Sequence, residues 1–131
     1  MNKKIEYLNT DLDLQAFDKY DELVKKIEKL GLQKLTYDQR ENGWFSTFER
    51  CVFAEDKEEP ETTISIILNV IESNDIHLTE EWKKCSLREL NIGYECGDEP
   101  WEYNHGLTVD TLKRMANLNI SLRMTIYPNK K

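Results

Sequence analysis

Two runs of strict alternation in the last third of the chain, Leu90, Ile92, Tyr94, Cys96 and then Ile120, Leu122, Met124, Ile126, constrain the fold more than any other feature. Strand side chains point alternately to the two faces of a sheet, so a period of two marks a strand with one apolar face. Between the runs the period changes. Val109, Leu112, Met115 and Ala116 share one face of a helix behind Thr108, whose hydroxyl suits the N-cap position. Strand, helix, strand in that order forms a crossover unit, with parallel strands and a right-handed connection if the crossover is long enough. Pro128 ends the last strand.

The same two periods organise the rest of the chain. Ile5-Glu6-Tyr7 and Leu12-Asp13-Leu14 alternate in opposite phase, which one strand accommodates with a bulge near Leu8 to Thr10. Phe17, Tyr20, Leu23, Val24, Ile27 and Leu30 recur at helical spacing, with Asp18 as the expected N-cap and Gly31 as the C′ residue. Leu35 and Tyr37 begin a second strand, Glu41-Asn42-Gly43 turns the chain, and Trp44 to Phe53 reads as a long third strand. Pro60 suits the first position of a second long helix with Ile64, Ile67, Leu68 and Ile71 on its apolar face. A short helix from Glu80 to Cys85 follows Thr79, with Trp82 packed inward. The expected fold class is therefore α+β: a two-layer mixed β-sheet of about five strands with three main helices, in one domain spanning residues 1–131.

Charge narrows the partners. A formal charge of -7, in a chain whose residues are 33% charged, disfavours nucleic-acid and anionic-membrane surfaces, which demand an excess of Lys and Arg. It favours a basic protein, although solubility alone also accounts for acidity. Met1-Asn2-Lys3-Lys4 is not followed by an apolar stretch, and the longest apolar cluster, around Ile64 to Leu68, is too short to span a bilayer. The expected location is the cytoplasm, where Cys51, Cys85 and Cys96, an odd set without CxxC spacing, remain reduced.

Candidate chemistry gathers in the segment Glu95 to Gly106, crowded with acids and aromatics. Cys96 and His105 flank it and make a thiol nucleophile and base if the loop folds back, which is the reading of a small thiol-dependent hydrolase. Against this, Cys96 continues the inward phase of Leu90, Ile92 and Tyr94 and reads as a buried small hydrophobe. Cys85, Cys96, His105, Asp98 and His77 are donors for a metal, but none stands in the close pairs that preorganise zinc sites. No cofactor is expected: there is no phosphate-binding glycine loop and no nucleophile elbow. Asp11 and Asp13 share one face of the first strand, as a carboxylate dyad or as a solvated face opposite Leu12 and Leu14.

Binding is the more natural use of the loop. Trp101 and Tyr103 offer apolar area at small conformational cost, and Glu95, Asp98, Glu99 and Glu102 surround them with negative charge. Glu55, Asp56, Glu58 and Glu59 form a second acidic patch that extends the expected surface. The competing reading folds Trp101 back over the end of the core.

Leu8 to Leu14, Asn91 to Gly97 with Pro100-Trp101, Gly106-Leu107 and Ser121 to Pro128 resemble a family of small uncharacterised bacterial proteins. The resemblance implies one intact domain and transfers no catalytic residue. In size, acidity and lack of catalytic apparatus the chain is also similar to immunity proteins that neutralise basic nuclease toxins by occlusion. That likeness implies a basic protein partner, no nucleic acid and no membrane. A non-catalytic regulatory subunit of a larger assembly shares the same character.

Overall fold

The computed structural model describes residues 3–50 and 59–128. Five strands, β1 (Glu6–Ala16), β2 (Leu32–Arg40), β3 (Gly43–Arg50), β4 (Leu87–Glu95) and β5 (Ser121–Tyr127), form one sheet in the order β2-β3-β1-β4-β5. Among the described residues four helices accompany it: α1 (Asp21–Lys29), α2 (Pro60–Ser73), the short α3 (Glu80–Lys83) and α4 (Val109–Asn117). A 3-10 turn, Ile76–Leu78, precedes α3. The α+β class, the mixed sheet and the three longer helices agree with the sequence.

The pairing follows the physical signals closely. β1 is central, antiparallel to both β3 and β4, and its register shifts between Tyr7 and Asn9 where the two phases of alternation meet. β2 and β3 form a hairpin closed by Glu41 and Asn42. Gly43 sits at φ +113, and a Cβ there would lie 2.3 Å from the Ala16 carbonyl oxygen, so conformation and space both demand glycine. β4 and β5 are parallel, from Glu89↔Ser121 to Glu95↔Tyr127, with α4 in the crossover. The expected third strand beyond Arg50 lies outside the described residues.

The core fills the space between one face of the sheet and the helices. Leu12 and Leu14 of β1, Phe48 of β3 and Leu90 of β4 pack with Ile64, Ile67, Leu68 and Ile71 of α2, all fully buried. Fully burying each such side chain contributes about 1.5–3 kcal/mol. Trp82 packs inward as expected, and the Thr79 hydroxyl accepts from its backbone N–H at 3.3 Å. Arg114 locks α4 to α2 through Glu72 (2.6 Å), Asn69 (2.7 Å) and Ser65 (3.2 Å).

Three local expectations are corrected. Helix α1 begins at Asp21, not behind Asp18, and Phe17 is 83% exposed. The cause is Tyr20, whose backbone is non-helical at φ -135 and ψ 52 and whose hydroxyl is buried against the Leu14 carbonyl and Ser46 Oγ, both at 2.9 Å. An anionic cap arrives from elsewhere instead: Glu81 Oε1 accepts from the Leu23 N–H at 2.7 Å. In α4 the buried residues are Thr111 and Met115, with Leu118 following, whereas Val109, Leu112 and Ala116 are exposed. On β5, Leu122, Met124 and Ile126 are exposed although they lie on the helix-side face of the sheet.

Candidate functional site

β4 delivers the chain at Glu95 into the loop 96–108, and that loop is fastened at both ends. At its start the Cys96 N–H donates to the Tyr127 carbonyl (2.9 Å), and Asp98 N–H donates to the Lys3 carbonyl (2.7 Å). The Ile5 N–H donates to the Glu99 carbonyl at 2.9 Å, and Lys3 pairs with Glu95. Gly97 permits this approach: a Cβ there would stand 2.5 Å from both the Lys3 oxygen and the Lys4 carbonyl carbon. At the far end Glu61 of α2 accepts from the Thr108 N–H (2.9 Å) and the Thr111 hydroxyl (2.5 Å). These bonds hold the Glu61 carboxyl below its ordinary range, the Thr111 bond first.

An aromatic cluster supports the middle. His105 stacks on Tyr94 with ring centres 5.7 Å apart, meets Tyr103 edge-on at 4.8 Å and Tyr7 at 6.0 Å. The Tyr94 hydroxyl and His105 Nδ1 are 3.1 Å apart. Above this platform the tip is in water: Trp101 is 94% exposed, and Asp98, Pro100 and Glu102 are exposed beside it. Tyr103 is half-buried in the cluster, and Glu99 is partly covered through its bridge to Lys4.

The two competing readings of Trp101 are thereby decided for exposure. The expected partner-binding residues divide into three groups. Asp98, Glu99, Trp101, Glu102 and Tyr103 come together on one loop. Glu95 belongs to its base, with its charge met by Lys3. Glu59 is exposed at the start of α2, whereas Glu55, Asp56 and Glu58 lie outside the described residues.

The thiol and the imidazole of the expected pair are not joined by a hydrogen bond among the described residues. Cys96 is exposed, which corrects the expectation of a buried side chain, because β4 ends at Glu95 and its alternation no longer binds the next residue. His105 turns Nδ1 to the Tyr94 hydroxyl instead. Cys85 is buried after α3, its thiol donating to the Glu81 carbonyl at 3.4 Å, and burial pushes it up to about 11. His77 lies in the 3-10 turn, away from the loop in sequence and in a different element. No group of three or more His, Cys, Asp or Glu is placed to hold a metal ion among the described residues.

The face of the sheet opposite Leu12 and Leu14 departs most from expectation. Asp13 is only 8% exposed, so it is not a solvated face residue. Central placement of β1 puts Asp13 between Thr47 of β3 and Glu89 of β4, and Asp11 between Glu49 and Asn91. Glu89 accepts from Arg123 of β5 at 2.7 Å, and Glu49 accepts from Asn9 at 2.8 Å. Burial first, then the charges of Asp13 and Glu49, push the Asp11 carboxyl up to about 7. Asp13 is raised as well, chiefly by burial, against a hydrogen bond from Thr47. Sequence reasoning missed Glu49, Glu89 and Arg123 here, because only the strand order makes them neighbours of the dyad. It also missed Tyr7 and Tyr94 as the support of the loop, although both stand in the alternating strands it identified.

Searches against protein families, curated proteins and solved structures found no match to the chain. The site must therefore be read from its own chemistry.

Proposed function

We propose that the chain is a protein-binding domain acting in the cytoplasm, in its most concrete form an immunity protein that occludes a basic, nuclease-type toxin. The carrying observation is Trp101, 94% exposed at the tip of a loop fastened to the sheet, the amino-terminal segment and α2. A large aromatic held in water on an anchored loop loses little conformational freedom on binding and buries a large area, which is the physics of an interface anchor. Asp98 and Glu102 beside it supply a field that accelerates encounter with a cationic surface. Occlusion needs no catalytic group on this chain. Acidic side chains pair with the cations that would hold substrate phosphates, and the bound domain blocks access.

The reading predicts a division of labour that mutagenesis resolves. Trp101→Ala removes the anchor and weakens the complex by about 2 kcal/mol or more, roughly 30-fold, chiefly through faster dissociation. Charge reversal at Asp98, Glu99 and Glu102 slows association and flattens its salt dependence. Surface plasmon resonance with the captured partner measures both. Unchanged rates in both variants would exclude the loop from the interface.

A further inference from the structure

The two edges of the sheet differ in a way that bears on assembly. β2, at one edge, carries Lys34, Asp38 and Arg40 and has an irregular register between Lys34 and Thr36; charges and bulges of this kind protect an edge against pairing. β5, at the other edge, has none of these protections: Ser121–Tyr127 is regular, contains no proline, and carries Arg123 as its single charge, already engaged by Glu89. Its helix-side row is also bare, with Leu122 39%, Met124 63% and Ile126 66% exposed. That row borders an open pocket of about 240 Å³ lined by Ile92, Tyr94, Leu107 and Leu112 together with Leu122 and Met124.

From this we infer that β5 pairs with β5 of a second copy of this chain, antiparallel about a two-fold axis at Met124. Three observations select a second copy as the occupant. The first is hydrogen bonding. The Tyr127 carbonyl accepts from Cys96, so the odd-numbered residues of β5 turn their backbone groups toward β4, while Leu122, Met124 and Ile126 turn theirs outward. A two-fold centred on residue 124 sets Met124 opposite Met124 and Leu122 opposite Ile126, so each outward N–H meets an outward carbonyl.

The second observation is side-chain matching. The two bare rows become one continuous apolar band on the helix side, where cross-strand apolar pairs contribute roughly 0.2–1 kcal/mol each. The third is charge. In this register Arg123 faces Thr125 and Ser121 faces Tyr127, so no like charges stand directly opposite, and the two Arg123 side chains, diagonal neighbours across the pair, are each engaged by Glu89 of their own chain. A basic partner would find no acidic residue on β5 to pair with, which separates this surface from the loop that carries Trp101. All seven residues of the strand take part, because residue 124 is its midpoint.

Sedimentation equilibrium on the intact chain tests the assembly, with Met124→Lys as the disrupting variant at an exposed position. The expected result is twice the chain mass for the unmodified protein in the micromolar to millimolar range, and the chain mass for Met124→Lys with an unchanged far-ultraviolet spectrum. An unmodified protein that stays at the chain mass overturns the inference, as does a folded Met124→Lys that still dimerises. Should Met124→Lys not fold, crosslinking decides, in a background with Cys51 and Cys96 replaced by serine. With an added thiol oxidant such as diamide, which takes up the two electrons and two protons, Met124→Cys should form an intermolecular disulfide, since facing Cα atoms in such a pair lie about 5.5 Å apart. Ser121→Cys should not crosslink. Absence of the Met124→Cys disulfide, or equal crosslinking at both positions, overturns the register.

Discussion

Single residues carry most of the unusual energetics of this molecule. Asp11 stands between Glu49 of β3 and Asn91 of β4, beside Asp13 on its own strand, and its carboxyl is pushed up to about 7. An acid whose folded pKa exceeds its unfolded one contributes stability at low pH, and that contribution is lost as pH rises through the folded value. Stability contributed by Asp11 therefore falls between about pH 4 and pH 7 and is level above; Asp13, facing Glu89, Arg123 and Arg40, adds a change of the same sign. Asp11→Asn should raise stability at pH 8 by about 1 kcal/mol or more and leave it nearly unchanged at pH 4, read as urea midpoints. Equal effects at both pH values would place the cost outside ionisation. Gly97→Ala should destabilise by about 1–3 kcal/mol, because its Cβ meets backbone at 2.5 Å and the amino-terminal segment must move. At this scale the sequence was a partial guide. It showed that Asp11 and Asp13 share a face, but their burial depends on long-range neighbours that alternation does not reveal.

At the scale of elements, the local signals that were read correctly were those whose cause is local. Thr79 and Thr108 cap the helices that follow them, Pro60 opens α2, and the out-of-phase alternation of β1 marks its irregularity. Helix α1 starts later than its sequence pattern predicts because its cap comes from Glu81, remote in sequence, and because Tyr20 is drawn into the core instead of continuing the helical face. The buried face of α4 departs from its apolar pattern for a related reason. Hydrogen bonds from Thr111 and Thr108 to Glu61, and from Arg114 to Glu72, set its rotation on α2, so polar contacts select the buried side and leave Leu112 beside the open pocket. Glu61→Ala should accordingly cost about 1–2 kcal/mol and speed amide exchange at the start of α4, while α1 exchanges as before. Uniform acceleration across both helices would show that Glu61 is not a local fastener.

For the whole molecule, the sheet has one face under helices and one face rich in polar residues, where Glu89 engages Arg123 and Glu49 engages Asn9 while buried oxygens of Asp11 and Asp13 find no hydrogen-bond partner; two further features stand open to solvent among the described residues. One is the apolar row of β5; the other is the acidic tip bearing Trp101. The fold class was legible because helices and strands alternate with clear periods, and the distinctive loop was legible from its composition alone. The exposure of Trp101 was not, since an aromatic beside proline packs inward or outward according to how the loop is tied, and those ties run to Lys3, Ile5 and Glu61. Among the described residues no helix is long and apolar enough to cross a membrane. The central claim is that this tip binds a basic protein, and affinity capture from the source cell tests it most directly. The intact chain and the Trp101→Ala, Asp98→Lys, Glu102→Lys variant would serve as parallel baits at low and high salt. The account predicts one basic protein retained by the intact chain at low salt, released at high salt and missing from the variant. Retention of the same protein by both baits, or of none by either, would contradict it.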